Sequence, residues 1–65
     1  MYALYVENLD TRNEICHGEF RVKADAEDWI LRHRSINLAN GCRYRLDGEY
    51  ELFYFDDITG RFYVA

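Results

Sequence analysis

Two cysteines and two histidines are the side chains of this chain best suited to bind a metal or act as nucleophiles. Cys16 and His17 are adjacent in a segment that favours a β-strand, while His33 and Cys42 stand apart. Adjacent strand residues point to opposite faces, so Cys16 and His17 cannot readily bind one ion. The chain also lacks a Cys-x-x-Cys pair. The sequence predicts no metal site and no cofactor.

The residues needed for enzymatic catalysis do not form a recognisable set. Ser35 is the only serine, and there is no Gly-x-Ser-x-Gly, phosphate-binding loop or dinucleotide fingerprint. A cysteine–histidine pair is formally available, but a two-layer domain of this size offers little pocket volume. Because no nucleophile, base and orienting group can be assembled, we expect a protein that is not an enzyme and has no catalytic residues.

Composition and charge restrict the classes of partner. The 65 residues, 49% hydrophobic and 17% aromatic, predict one small domain over residues 1–65. Twelve acidic and eight basic residues give a net charge of −4, which disfavours nucleic acid and favours a basic protein surface. With no signal-like N-terminus and no apolar segment near the ~20 residues that span a bilayer, we expect a cytoplasmic protein without a membrane partner.

The first half of the chain predicts a hairpin followed by a helix. YALYVENL and EICHGEFRV favour strands around a turn at LDTRN. In the second strand, alternation places Cys16, Gly18 and Phe20 on the helix side and His17 on the other. Two buried thiols are expected in a cytosolic protein, although alternation leaves open whether Cys16 and Cys42 form a disulfide.

The helix pattern is the clearest periodic signal. Asp25, with Asp28 three residues later, resembles a capping box, and Asn40-Gly41 is a typical helix stop. The spacing of the core-facing residues fits one helical stripe that includes Trp29 as its anchor. Its members are Ala26, Trp29, Ile30, His33 and Ile36.

Three further strands are predicted after the helix, and the turns between them set which side chains share a face. The predicted strands cover roughly residues 42–46, 49–56 and 61–65. In the last hairpin, DITG places Gly60 where positive φ is required. In the preceding hairpin, a bulged turn with a left-handed Gly48 would set Arg45 opposite Glu49 and Arg43 opposite Glu51. This register would turn Cys42, Tyr44, Tyr50, Leu52 and Tyr54 toward the helix.

Together these elements predict an α+β domain of order β-β-α-β-β-β, an antiparallel sheet of about five strands with one helix on one face. The register above points Phe53 and Phe55 away from the helix, with Phe62 or Tyr63 beside them. Three such rings present roughly 450 Å², near the largest apolar patch of an ordinary monomer. We therefore expect this face to be covered by the N-terminal strand, by a second copy of the chain or by a foreign partner.

The leading functional hypothesis is a small acidic protein-binding module that occludes a groove or basic surface of its partner. Compact acidic, aromatic-rich chains of this length resemble phage or mobile-element accessory proteins that inhibit or regulate a host protein, in the sharper version one that handles nucleic acid. Aromatic and arginine side chains dominate binding energy, and acids complement a basic groove. The expected partner-binding residues are Phe53, Phe55, Tyr63, Arg61, Glu49, Glu51, Asp56 and Asp57.

Two other hypotheses remain open. FRVKADAEDWI resembles the strand-to-helix junction of the arm-type DNA-binding domains of tyrosine-family phage integrases, with matches at Phe20, Lys23, Ala26, Glu27 and Trp29. That resemblance implies a DNA-binding domain, for which the basic residues would be Arg12, Arg21, Lys23 and Arg43. The other hypothesis is a homodimeric structural domain whose aromatic face is its own interface.

Overall fold

The elements follow in the predicted order β-β-α-β-β-β, which confirms the α+β fold. They are β1 (Tyr2–Asn8), β2 (Glu14–Phe20), α1 (Lys23–Ala39), β3 (Cys42–Asp47), β4 (Leu52–Asp56) and β5 (Arg61–Val64). The computed structural model describes residues 1–39 and 41–65, without the side chains of 34–39. The predicted core position of the Ile36 side chain and the predicted helix stop at Asn40 therefore lie outside what the structure describes. No helix in the described part of the chain is long and apolar enough to span a membrane.

The five strands form one antiparallel sheet of order β2-β1-β3-β4-β5, and α1 packs across one face of it. Alternation along the strands sends one set of side chains into the layer between sheet and helix. That core consists of Leu4, Val6, Ala26, Ile30, Tyr44, Leu46 and Phe53. β1 lies inside the sheet, so the N-terminal strand does not fold over a face of it.

A β-bulge in β2 overturns part of the predicted alternation. Leu4 pairs with Gly18 and Tyr5 pairs with Cys16, which leaves His17 as the extra residue of β2. Gly18 has a φ of 143°, a conformation that side-chain-bearing residues rarely adopt. Cys16 consequently lies opposite Tyr5 and is exposed, so the prediction that it is buried on the helix side is wrong.

The second cysteine, Cys42, packs against the core from β3. β1 separates its strand from β2, which carries Cys16, so the two strands are not neighbours. The two thiols are not joined by a disulfide.

The helix begins at Lys23, two residues before the expected cap. The Asp25 amide already donates to the Val22 carbonyl at 3.2 Å, so Asp25 belongs to the first turn and is not the N-cap. An acid in the first turn still favours the positive end of the helix dipole. The side chains of Asp28 and Arg32 form the i,i+4 pair that their spacing permits, at 2.7 Å.

The helix residues at the centre of the core are Ala26 and Ile30, and not the larger Trp29 that was predicted as its anchor. Ala26 and Ile30 are completely buried, whereas Trp29 is half-buried at the margin of the core. The Trp29 ring stacks on His33 at 4.1 Å between centroids and lies 5.1 Å from His17. The bulge explains this arrangement, because it turns His17 toward the helix.

The β3–β4 connection differs most from the prediction. Leu46 pairs with Phe53 and Asp47 with Leu52, so β4 begins at Leu52 and residues 48–51 form a loop. The loop is closed by a 2.8 Å hydrogen bond from the Gly48 amide to the Glu51 carbonyl, and Gly48 is not left-handed. The predicted bulged register is therefore wrong.

The β4–β5 hairpin matches its prediction. Gly60 has a φ of 72° and its amide donates to the Asp56 carbonyl at 2.8 Å. The Asp56 carboxylate also accepts from the Ile58 amide at 2.9 Å. Phe55 pairs with Phe62, which settles the register that the sequence left open.

Candidate functional site

The two phenylalanines expected on an exposed face lie on the helix side instead. Phe53 is only 2% exposed and belongs to the core. Phe55 is half-buried, with its ring 5.9 Å from Tyr44 and 5.5 Å from Phe62. The predicted phenylalanine patch facing away from the helix is therefore wrong. β4 pairs with β3 in a different register, which turns its side chains to the opposite face of the sheet.

Tyrosines and arginines occupy the face that points away from the helix, which we call the tyrosine face (Tyr5, Arg43, Arg45, Tyr54 and Tyr63). The Arg43 guanidinium carbon lies 4.4 Å from the centre of the Tyr54 ring, and that of Arg45 lies 4.7 Å from Tyr5. The rings of Tyr54 and Tyr63 are 6.4 Å apart. Stacked guanidinium groups of this kind cover aromatic rings on the outside of the sheet.

Carboxylates neutralise the arginines of the tyrosine face. Glu7, only 8% exposed, accepts a hydrogen bond from Arg43 Nε at 3.1 Å. Arg45 donates to Glu14 Oε2 at 3.0 Å and to Asp47 Oδ1 at 2.9 Å. The hydrogen bond to Glu14 and, after it, Asp47 raise the pKa of Arg45 above its ordinary value, against the lowering effect of desolvation. The tyrosine face is consequently a closed ion-pair network, not a basic surface.

The basic residues of the DNA-binding hypothesis do not gather on one surface. Arg12 lies in the turn before β2, whereas Arg21 follows the other end of that strand. Arg43 is engaged by Glu7, and the Lys23 ammonium lies 4.5 Å from the centre of the Phe53 ring. An uncompensated cationic footprint, which nucleic-acid binding requires, is not formed by these four residues.

A groove at one end of the sheet brings three of the predicted site residues together. We call it the Tyr50 groove; it has a volume of about 330 Å³. It is lined by Met1, Tyr2, Arg21, Gly48, Glu49, Tyr50, Glu51 and Phe53. Tyr50 was predicted to face the helix from a strand but projects from the β3–β4 loop and is 91% exposed.

The local sequence explains the shape of the Tyr50 groove. The rings of Tyr2 and Phe53 meet at 6.2 Å between centroids and form an aromatic floor. Gly48 allows the loop to lie against this floor, because a Cβ there would stand 3.1 Å from the Tyr2 ring. The tight Gly48–Glu51 closure then holds Glu49 and Glu51 in the wall of the groove.

The lining of the Tyr50 groove carries two acidic side chains and one basic side chain. Glu49 and Glu51 are exposed, and neither carboxylate forms an ion pair with any side chain that the structure describes. Arg21 lies in the lining opposite that loop. The groove therefore combines an aromatic floor with an acidic loop that no cation of the described chain neutralises.

The remaining predicted site residues lie elsewhere. Asp56 and Arg61 pair across the start of the β4–β5 hairpin, and Asp57 lies in its exposed turn. Tyr63 is 53% exposed on the tyrosine face. Because the β3–β4 loop and the β4–β5 turn are at opposite ends of β4, the eight residues do not form one site.

The sequence predicted Glu49, Glu51 and Phe53 as site residues of the Tyr50 groove, and it missed Tyr2 and Tyr50. The stretch Glu-Tyr-Glu after Gly48 could have indicated an exposed Tyr50, since an aromatic residue between two acids fits a loop as well as a strand. Among the described residues there is no group of three His, Cys, Asp or Glu side chains placed to hold a metal ion. Comparison with known proteins finds no matching family model, no matching curated protein and no matching solved structure.

Proposed function

We propose that this chain is a small acidic protein-binding module, without enzymatic activity, that acts by occluding a basic surface of its partner. One observation carries the proposal: Tyr50, 91% exposed, stands between two carboxylates at the rim of an aromatic-floored groove. Exposed aromatic side chains next to a concave surface are typical anchors of protein interfaces. The Tyr50 groove therefore replaces the phenylalanine patch as the docking site.

The charge of the chain supports a basic partner. A net charge of −4 and two exposed carboxylates at the groove favour rapid association with a positively charged surface. Proteins that handle nucleic acid present such surfaces, and a 65-residue acidic domain can cover one without chemistry of its own. We accordingly propose an inhibitor or regulator of the phage or mobile-element type, directed at a host protein of this class.

The state of the cysteines supports a cytoplasmic site of action for this module. Cys16 and Cys42 lie on strands that are not neighbours and are not joined by a disulfide, and Cys16 is exposed on an outer strand. Exposed thiols persist in reducing compartments and tend to be oxidised elsewhere. A cytoplasmic location also agrees with a nucleic-acid-handling target.

The proposal is tested by affinity capture from bacterial lysate with three forms of the protein: wild type, Tyr50→Ala and Ile58→Ala. Ile58 is a matched control, since it is 96% exposed but lies in the β4–β5 turn, at the far end of β4. We expect one partner to be retained by wild type and Ile58→Ala and lost with Tyr50→Ala. Equal recovery of every protein by all three forms would contradict docking at the Tyr50 groove.

A further inference from the structure

We propose that the tyrosine face joins two copies of this chain in a weak symmetric dimer, with the two sheets packed face to face. The two-fold axis runs parallel to the strands, between β3 and β4. This contact leaves the Tyr50 groove free, because the groove is lined by the β3–β4 loop and by Phe53 on the helix side of the sheet.

The sheet face opposite α1 is not covered by any other element that the structure describes. α1 packs on one face only. On the opposite face, Leu52 and Tyr63 are 38% and 53% exposed. Antiparallel sheets often leave one face in water, so this exposure alone does not require a partner. The order of the side chains across the face is what favours a second copy.

One row of cross-strand neighbours runs over all five strands on this face. Its members, in order across the sheet, are Cys16, Tyr5, Arg45, Tyr54 and Tyr63. An axis between β3 and β4 lays this row along the same row of the second copy. Tyr5 then faces Tyr63 of the second copy, and Arg45 faces its Tyr54. Tyrosine and arginine are enriched at protein interfaces, and both pairings are favourable ones.

The next row is charged and complements itself across the same axis. The register places its members in the order Glu7, Arg43, Asp56 and Arg61. Glu7 then faces Arg61 of the second copy and Arg43 faces its Asp56, and the symmetry repeats both pairs. An axis along β3 would set Arg43 against itself, and one between β1 and β3 would set Glu14 against Asp56. Charge complementarity therefore selects the axis between β3 and β4.

The size of the contact predicts a weak dimer. Four strands of each copy overlap about this axis, because β2 extends past the edge of the second copy. At ~4.8 Å between strands and ~3.3 Å per residue over about five residues, the contact measures roughly 19 Å by 16 Å. This is well below the ~800 Å² that each partner buries in a standard interface. Because the net charge of −4 on each copy also opposes association, we expect a dissociation constant of about 0.01–1 mM.

Sedimentation equilibrium tests the dimer from about 10 µM to about 1 mM protein, in about 0.15 M NaCl to screen the net charge. We expect the mean mass to rise from 7.8 kDa toward twice that value. Tyr63→Ala removes two symmetric ring pairs and should weaken dimerisation about tenfold. The control Leu31→Ala, at a residue 50% exposed on α1, should not change it. A mass of 7.8 kDa at every concentration would overturn the proposal.

A pair of charge reversals tests the register. Arg61→Glu sets an acid against Glu7 in both symmetric pairs and should abolish the dimer in this concentration range. Arg32→Glu changes the net charge equally but lies on α1, so it should weaken the dimer much less. Equal losses from the two variants would show that net charge alone governs association, and would refute the proposed contact.

The pairing of Tyr5 with Tyr63 gives a readout that only this dimer produces. Within one chain the two residues lie on β1 and β5, three strand spacings or about 14 Å apart. In a mixture of isotope-labelled and unlabelled chains, a nuclear Overhauser effect between these rings can arise only between copies. Its absence from a sample that sedimentation shows to be dimeric would refute the register.

The sedimentation and capture results separate the dimer from the proposed binding function. If the protein dimerises as expected while no captured partner is lost with Tyr50→Ala, the dimer stands and the docking function is wrong. If the protein is monomeric throughout and a captured partner is lost with Tyr63→Ala but not with Tyr50→Ala, the tyrosine face binds a foreign protein and the dimer is wrong.

Discussion

Replacement of Phe53 should strongly destabilise this protein, and replacement of the exposed Tyr63 should not. Phe53 is 2% exposed, pairs with Leu46 across the sheet and packs against Tyr2. Phe→Ala in a core of this kind costs about 3–5 kcal/mol, the sum of lost burial and a residual cavity. A 65-residue domain has about 3–10 kcal/mol of total stability. Phe53→Ala therefore removes between about a third and all of the free energy of unfolding.

The milder Phe53→Leu variant makes the effect measurable at equilibrium. We expect it to lower the free energy of unfolding by about 1–2 kcal/mol in urea, with a fall in Tm of about 4–16 °C for a domain of this size. Tyr63→Ala, at 53% exposure, should cost under about 1 kcal/mol. A larger loss from Tyr63→Ala than from Phe53→Leu would refute the register of β4, and with it the burial of Phe53.

Three further perturbations test how the fold is held together, each by the urea midpoint of unfolding. Arg45→Lys cannot reproduce the paired contacts to two carboxylates and should cost about 1–2 kcal/mol, while Arg61→Lys on exposed β5 should change little. Gly60→Ala forces a Cβ into a backbone with φ of 72° and should cost about 1–2 kcal/mol; an unchanged midpoint would contradict that geometry. Glu27→Ala removes the acceptor of the Phe62 amide and should cost about 1 kcal/mol, with faster exchange of that amide hydrogen, and Glu27→Gln should restore much of both.

The order of elements was predictable because it depends on local signals. Helical spacing over residues 23–33 and the turn chemistry around Gly60 are both encoded within a few neighbours in sequence. The helix start was missed by two residues because Asp25 was taken as a cap, although an acid is equally suited to a first turn.

The register of β4 could not be predicted because its determinants are distant in sequence. Local reasoning paired Arg43 and Arg45 with acids across the nearest turn. In the fold their partners come from β1 and β2, through Glu7 and Glu14. Because Arg43 and Arg45 do not pair with acids of the nearest turn, they do not fix the register of β4, which places Phe53 opposite Leu46 in the core. The observed register moves the proposed docking site from the sheet face to the β3–β4 loop.

The bulge at His17 escaped prediction for a related reason. A strand with one extra residue looks regular in sequence until its partner is known, and the partner of β2 is fixed by the whole hairpin. Glu49 and Glu51 were predicted as site residues because acids around the expected aromatic face would complement a basic groove of the partner. Their neighbour Tyr50 was missed, since alternation assigned it to the core.

Both outer strands of the sheet carry a device against pairing with another molecule's backbone. On one side, the bulge at His17 and Gly18 interrupts the regular ladder of β2. On the other side, the Glu27 carboxylate takes the outward amide of Phe62 at 3.1 Å and places an acidic group beside β5. These two features disfavour the addition of a strand from another molecule at either edge of the sheet.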